Sequence, residues 1–241
     1  MKKYIFTGVV VFLIAMIAYV PASVAAKFLP KNIVASQFQG NLWNGSTASF
    51  ILDNVNYGSV KWNIKSSCFL VLKLCADIKQ SHSDVESSFH LKIRGVTEIN
   101  NLIARGSAEI LSPFVKNYGI SLSGNFDAEM EDIKFDVEGI QRLQGNVNFS
   151  TLDVNGVLRL SMGNVNSVFE PMSDYTQIDI NNSQGHVDLV GAIQLYNDMR
   201  YQLDMKARKN ANSTEAVING LNFVGELQTD GSVILQHSGK L

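Results

Sequence analysis

The chain has 241 residues, a charged fraction of 17% and 20 Lys and Arg against 22 Asp and Glu, so it offers no basic footprint for nucleic acid. Beyond any membrane anchor, that length suffices for one β-rich domain of ordinary size or two small ones. Two cysteines and four scattered histidines do not fill a tetrahedral zinc shell.

The first element is apolar. Met1-Lys2-Lys3 leads into an uncharged run from Tyr4 to Val20. As a helix this run rises ~26 Å, slightly short of a ~30 Å hydrocarbon core. The uncharged Pro21-Ala22-Ser23-Val24 extends it to ~31 Å. Lys2 and Lys3 place the tip in the cytoplasm and the rest outside. Tyr4 and Tyr19 suit the two interfaces. A cleaved signal peptide, cut after Ser23-Val24-Ala25, is the competing reading. The run exceeds the usual ~7–15-residue signal core, which favours retention. Either way the remainder is exported, to a compartment without a nucleotide pool where thiols oxidise.

Strand patterns follow. Ala48–Leu52 leads to a turn at Asp53-Asn54. Val60-Lys61-Trp62-Asn63-Ile64 alternates, as does Val71–Leu74 into Ala76–Ile78, with one helical turn at Ser66–Leu70 between them. Ser88–Ile93, Ile120–Met130, Ile133–Val137 and Met199–Lys206 also have period two. Residues 97–105 and 166–173 are the weakest strand candidates and read as short helices or loops. Gly145-Asn146, Asn155-Gly156, Gly163-Asn164, Asn219-Gly220 and Asp230-Gly231 carry hairpin-turn chemistry. The polar-Gly-polar-apolar form at Gly40, Gly124, Gly145 and Gly185 reads as a recurring strand entry. The whole is an antiparallel meander with one apolar and one wet face.

Little in the chain points to catalysis. Gly-x-Ser-x-Gly and phosphate-cradling loops are absent. His82, His90, His186 and His237 read as ordinary strand or surface residues. Asp127, Glu129 and Glu131 share one strand face, which suits a hard cation or, more simply, solvent. Lys206-Ala207-Arg208-Lys209 reads as a solvated face. Cys68 and Cys75 stand ~23 Å apart on an extended strand. A disulfide between them needs a bend; otherwise they are two small buried hydrophobes.

The stretch Leu29-Pro30 … Gly40-Asn41-Leu42-Trp43-Asn44-Gly45-Ser46-Thr47-Ala48 resembles type II secretion system protein N, whose members show an anchor, a Leu-Pro step and then Gly-Thr-Leu-Trp-x-Gly-x-Ala. Asn41 stands where the family has Thr. Trp62 sits where the family has a Trp-centred strand, and Leu122-Ser-Gly124, Leu143-Gln-Gly145 and Gln228–Leu241 are also similar. Leu29, Pro30, Gly40, Leu42, Trp43, Gly45 and Trp62 are thus structural motif residues, with Trp43 read as core packing at one end of the sheet.

The resemblance implies a non-enzymatic component of the type II, or general, secretion pathway in the inner membrane, supporting export of folded proteins across the outer membrane. Residues 1–24 are expected to be the cytoplasmic tip and transmembrane anchor. Residues 25–241 are expected to form one antiparallel, curved, sandwich-like periplasmic all-β domain. Partners are other secretion components and, through the anchor, lipid; no cofactor is expected. The alternative is a groove-type envelope lipid-binding or lipid-transfer protein. An exported hydrolase or lectin needs convergent carboxylates or aromatics, which the sequence does not show.

Overall fold

Helix α1 (Lys2–Ala18) opens the computed structural model, which describes residues 2–53, 55–116, 119–156, 159–224 and 226–240. Met1, Asn54 and Leu241, which enter the sequence reading, lie outside the described residues. α1 has 17 residues, a rise of ~26 Å. Among the described residues no helix is long and apolar enough to cross a membrane. The continuation to Val24 is corrected. Pro21 is extended and Ala22–Phe28 form a 3-10 helix, in which Ala22 is buried. Proline has no N–H to donate into the preceding turn, so the α-helix stops ahead of it.

The chain divides into two compact units, residues 1–94 and 95–241. In the first, β1 (Ile33–Gly40), β2 (Asn44–Leu52), β4 (Ser59–Ile64), β5 (Leu74–Ser81) and β6 (Val85–Arg94) pair in sequence, all antiparallel. The two-residue β3 (Val55–Asn56) folds back on β2. A second 3-10 helix, Ser66–Val71, joins β4 to β5, at the helical turn read from the sequence.

The second unit contains β7 (Val96–Ser107), α2 (Ser112–Val115), β8 (Ser121–Phe135), β9 (Ile140–Asn155), β10 (Arg159–Pro171), β11 (Tyr175–Ser183), β12 (Val187–Tyr196), β13 (Arg200–Lys209), α3 (Glu215–Val224), β14 (Glu226–Leu227) and β15 (Ser232–Lys240). Each strand from β7 to β13 pairs antiparallel with the next; β15 then pairs with both β13 and β14. Period-two burial holds along β13, where Tyr201, Leu203, Met205 and Ala207 turn inward and Arg200, Gln202 and Asp204 outward. Ala108, Leu152 and Val165 form a buried cluster, packed by Leu122, Phe149, Met162 and Ile180.

Three readings are corrected here. Residues 97–105 and 166–173 fall largely within strands β7 and β10. Their polar residues hid this, and some of those residues pair across strands: Asn100 Nδ2 donates to Asp132 Oδ1 at 3.1 Å, although Asn100 Oδ1 is buried without a partner among the described residues, and Asn166 Nδ2 donates to Asn148 Oδ1 at 2.6 Å. Gly145-Asn146 and Gly163-Asn164 lie inside strands, and Asn219-Gly220 inside α3. Gly124 and Gly145 are not strand entries either; they sit within β8 and β9, Gly124 at a register shift between the two strands.

Candidate functional site

The residues singled out around Trp43 and Trp62 converge at the end of α1, within the first unit. A helix leaves its last carbonyls without intrahelical partners. Here the turn between β1 and β2 reaches one of them and the chain just beyond the helix. Trp43 Nε1 donates to Ile17 O at 2.9 Å, and Leu42 N donates to Val20 O at 2.8 Å. Pro21 also bridges to Asn41. The turn is itself braced, because Asn41 Oδ1 accepts from the backbone N–H of Trp43 at 3.1 Å and of Asn44 at 2.7 Å. Asn41, the departure from the family pattern, thus caps the turn. An Asn side-chain carbonyl, accepting from the backbone two and three residues on, makes this turn more firmly than a Thr hydroxyl would.

The glycines admit this geometry. Gly40 has φ +82°, a left-handed conformation open to glycine. Gly45 pairs with Trp62 across β2 and β4. A Cβ on Gly45 meets Trp62 Cζ2 at 2.5 Å and Asn41 O at 2.7 Å. The indole of Trp62 therefore lies over bare backbone. It is fixed by its Nε1 donating to Leu42 O at 2.9 Å and by edge contact with Phe38, centroids 6.3 Å apart.

Behind the turn lies an apolar cavity of about 230 Å³, lined by Leu29 and Leu42 together with Phe38, Phe50, Trp62 and Ile78 among others. That volume is below the ~300–1,000 Å³ of ordinary ligand pockets. Pro30, next to Leu29, starts a turn into β1, its carbonyl accepting from Ile33 N at 3.0 Å. Sequence reasoning grouped Trp43 with core packing. The structure gives it a different partner: besides Ile17 O, it meets Phe69 edge-on, centroids 5.7 Å apart.

Phe69 belongs to the Ser66–Val71 turn. Cys68 and Cys75 bracket this loop with Cα atoms 5.9 Å apart and sulfurs at bonding distance. The 3-10 helix supplies the bend that an extended strand lacks. Beside it, Asp77 pairs with Lys65 Nζ at 3.0 Å and with His90 Nδ1. The hydrogen bond from Lys65, reinforced by that from His90, holds the Asp77 carboxyl below its usual range. In the second unit Lys206, with Ser232, does the same to Asp230, which Arg208 also approaches at 3.1 Å. The basic run at 206–209 is therefore partly ion-paired.

A carboxyl whose pKa is lower in the folded than in the unfolded chain binds fewer protons when folded. Its contribution is complete above the unfolded value of ~3.9 and is lost as pH falls through the lower native value. Asp230 is exposed and Asp77 about one-third exposed, so solvent screens the effect. Circular dichroism is expected to show stability declining only below about pH 4, with a shallower acid limb in Asp77→Asn.

The other sequence candidates are dispersed. Arg105 on β7 pairs with Asp127 at 2.7 Å and Glu129 at 3.4 Å, while Glu131 accepts from Gln144 at 2.7 Å. His82 contacts Asp84, His186 Nδ1 accepts from Ser161 N, and His237 stacks on Tyr201. Among the described residues no group of three or more His, Cys, Asp or Glu is placed to hold a metal ion.

The family model for type II secretion system protein N matches residues 31–236. The chain belongs to that family. It is also 20% identical to type II secretion system protein N of Vibrio cholerae serotype O1 (strain ATCC 39315 / El Tor Inaba N16961), over 96% of this chain and 95% of the relative. No solved structure matches significantly. Membership gives the chain a role in type II secretion. The lipid-transfer alternative finds no support in these comparisons.

Proposed function

We propose that this chain is a non-enzymatic, inner-membrane-tethered component of type II secretion, whose β sheets stand in the periplasm and support export of folded proteins by contact. The observation that carries the reading is the family match over residues 31–236, which takes in nearly all the sheet-forming residues. α1 lies outside that stretch and supplies the tether. Tyr4, Phe6, Phe12, Met16 and Ile17 along it are all more than half exposed, and no Asp, Glu, Lys or Arg occurs from Tyr4 to Ala26.

The helix is ~4 Å shorter than an average hydrocarbon core, a mismatch that costs fractions of a kcal/mol per Å and is met by local thinning or by flanking residues. Lys2 and Lys3 then mark the cytoplasmic side, and residues 25–241 act beyond it. In that compartment Cys68 and Cys75 are oxidised. Closing so short a loop stabilises the fold by ~2–3 kcal/mol in the chain-entropy account. Leu29, Pro30, Gly40, Leu42, Trp43, Gly45 and Trp62 join tether to sheet. Other secretion components add strands at exposed sheet edges, since backbone pairing gives affinity without a catalytic pocket.

A strain lacking the chain tests this reading. Type II substrates are expected to fall in the medium and accumulate in the periplasm, with the outer membrane intact. Unchanged secretion contradicts the proposal. Leakage of periplasmic markers without substrate retention supports an envelope-lipid role instead.

A further inference from the structure

The loop bracketed by Cys68 and Cys75 is unusual for an exported surface. Phe69 is 42% exposed, Leu70 89%, Val71 55% and Leu72 81%. Four consecutive large apolar side chains thus face outward on a turn whose base is cross-linked. A flexible loop could fold such residues inward. This one is held, because Lys65 N donates to Cys75 O at 2.9 Å, Lys73 N to Cys68 O at 3.0 Å, and the sulfurs are joined.

Soluble proteins rarely display contiguous apolar surface without a partner. The place of this surface indicates the partner. Ile17 and Ala18, at the end of α1, line one apolar cleft of about 420 Å³ with Trp43, Ile64 and Phe69. Trp43 touches both sides, bonding Ile17 O and packing on Phe69. The loop therefore continues the exposed apolar surface of α1 at the end where that helix stops. Charge agrees: between Asp53 and Asp77 there is no acidic residue, whereas Lys61, Lys65 and Lys73 fall in that interval. Lys73 lies inside the loop and Lys65 at its base, where it pairs with Asp77; a positive charge beside an apolar tip suits an anionic phospholipid surface.

We infer that Phe69–Leu72 inserts into the lipid interface beside the end of α1, as a second membrane contact that fixes how the first unit stands on the bilayer. The inference rests on the tether reading proposed above and adds to it. A single helix leaves the unit free to swivel about its axis. A second, stapled contact beside it removes that freedom, and the Trp43 clasp keeps the two contacts in register.

The test uses the full chain in vesicles of phosphatidylethanolamine and phosphatidylglycerol, with or without bromine on the acyl chains. Leu70→Trp and, separately, Leu72→Trp add an indole at the tip; emission of the parent, with Trp43 and Trp62, is subtracted. Val34→Trp is the control. Val34 is 58% exposed on β1, ~20 Å along the strand from Gly40 and the clasp. The added tip emission is expected to shift to the blue and to lose about half its intensity to brominated lipid, as for a group ~5–10 Å into the headgroup–acyl boundary. Val34→Trp should lose almost none.

Tip emission quenched no more than that of Val34→Trp, in vesicles that retain the chain through an alkaline wash, overturns the loop contact and leaves the tether standing. Loss of the parent chain in that wash overturns both. A photoreactive residue at Leu70 that cross-links in cells to one discrete protein rather than to lipid also overturns the loop contact, and assigns the surface to a secretion partner.

Discussion

Gly45→Val is expected to destabilise the first unit strongly. Even the first added carbon meets Trp62 Cζ2 at 2.5 Å and the Asn41 carbonyl at 2.7 Å. The indole has little freedom to retreat, because its Nε1 is bonded to Leu42 O and its ring edge lies against Phe38. Either the strand pair separates or the indole leaves its hydrogen bond unmade. Overpacking of this kind costs ~1–3 kcal/mol, and each kcal/mol lowers the melting temperature of a domain of this size by ~4–8 °C. Thermal unfolding followed by tryptophan emission reads it. Gly156→Ala, whose nearest neighbour to an added carbon is 3.5 Å away, should change little. In a Trp62→Leu background the cost of Gly45→Ala should shrink, since the two positions are in contact and their effects are not additive. Equal melting temperatures for Gly45→Val and the parent contradict the packing described.

Much of this architecture is legible in the sequence where one face of a strand is apolar and the other wet. Val60–Ile64 and Met199–Lys206 show period two because β4 and β13 each have such faces. Ile133–Val137 alternates in sequence only: β8 ends at Phe135, and Phe135 and Val137 are exposed. β7 and β10 were hidden by asparagine and serine. In those strands polar side chains pair with polar neighbours on the next strand, so burial leaves no apolar alternation. Glycine-asparagine pairs misled for a related reason. Asn155-Gly156 and Asp230-Gly231 do end strands or turn, but Gly145 and Gly163 lie where neighbouring backbones come too close for a side chain. Helix α3 gave no warning, since Asn219-Gly220 sits in its middle.

The clasp was visible as residues and invisible as contacts. Gly40, Leu42, Trp43, Gly45 and Trp62 stand out by type and spacing. That Trp43 reaches the carbonyl of Ile17, 26 residues earlier, depends on where Pro21 ends the helix and where β2 turns back. Local pattern does not encode that. Of the apolar tip, Phe69 and Leu70 read as part of a helical turn, which they are, but the strand expected over Val71–Leu74 is corrected: Val71 ends the 3-10 helix, Leu72 is left-handed and β5 starts only at Leu74. The tip's exposure follows from the cross-linked base and from the position of α1, neither of which a window of sequence reports.

The central claim is that α1 holds the β sheets on the outer side of the inner membrane. Its nine Ile, Leu, Val and Phe residues contribute ~3–5 kcal/mol toward insertion on the biological scale, and no other segment described has a comparable run. The decisive measurement compares the full chain with one in which residues 2–18 are replaced by a cleavable export leader. Both are fractionated with alkaline carbonate and probed with protease in spheroplasts. The account predicts that the full chain stays in the membrane pellet with its sheets open to protease from the periplasmic side, while the exchanged chain moves to the soluble periplasm. A full chain that washes free of the membrane, or that is protected from protease until the inner membrane is broken, contradicts it.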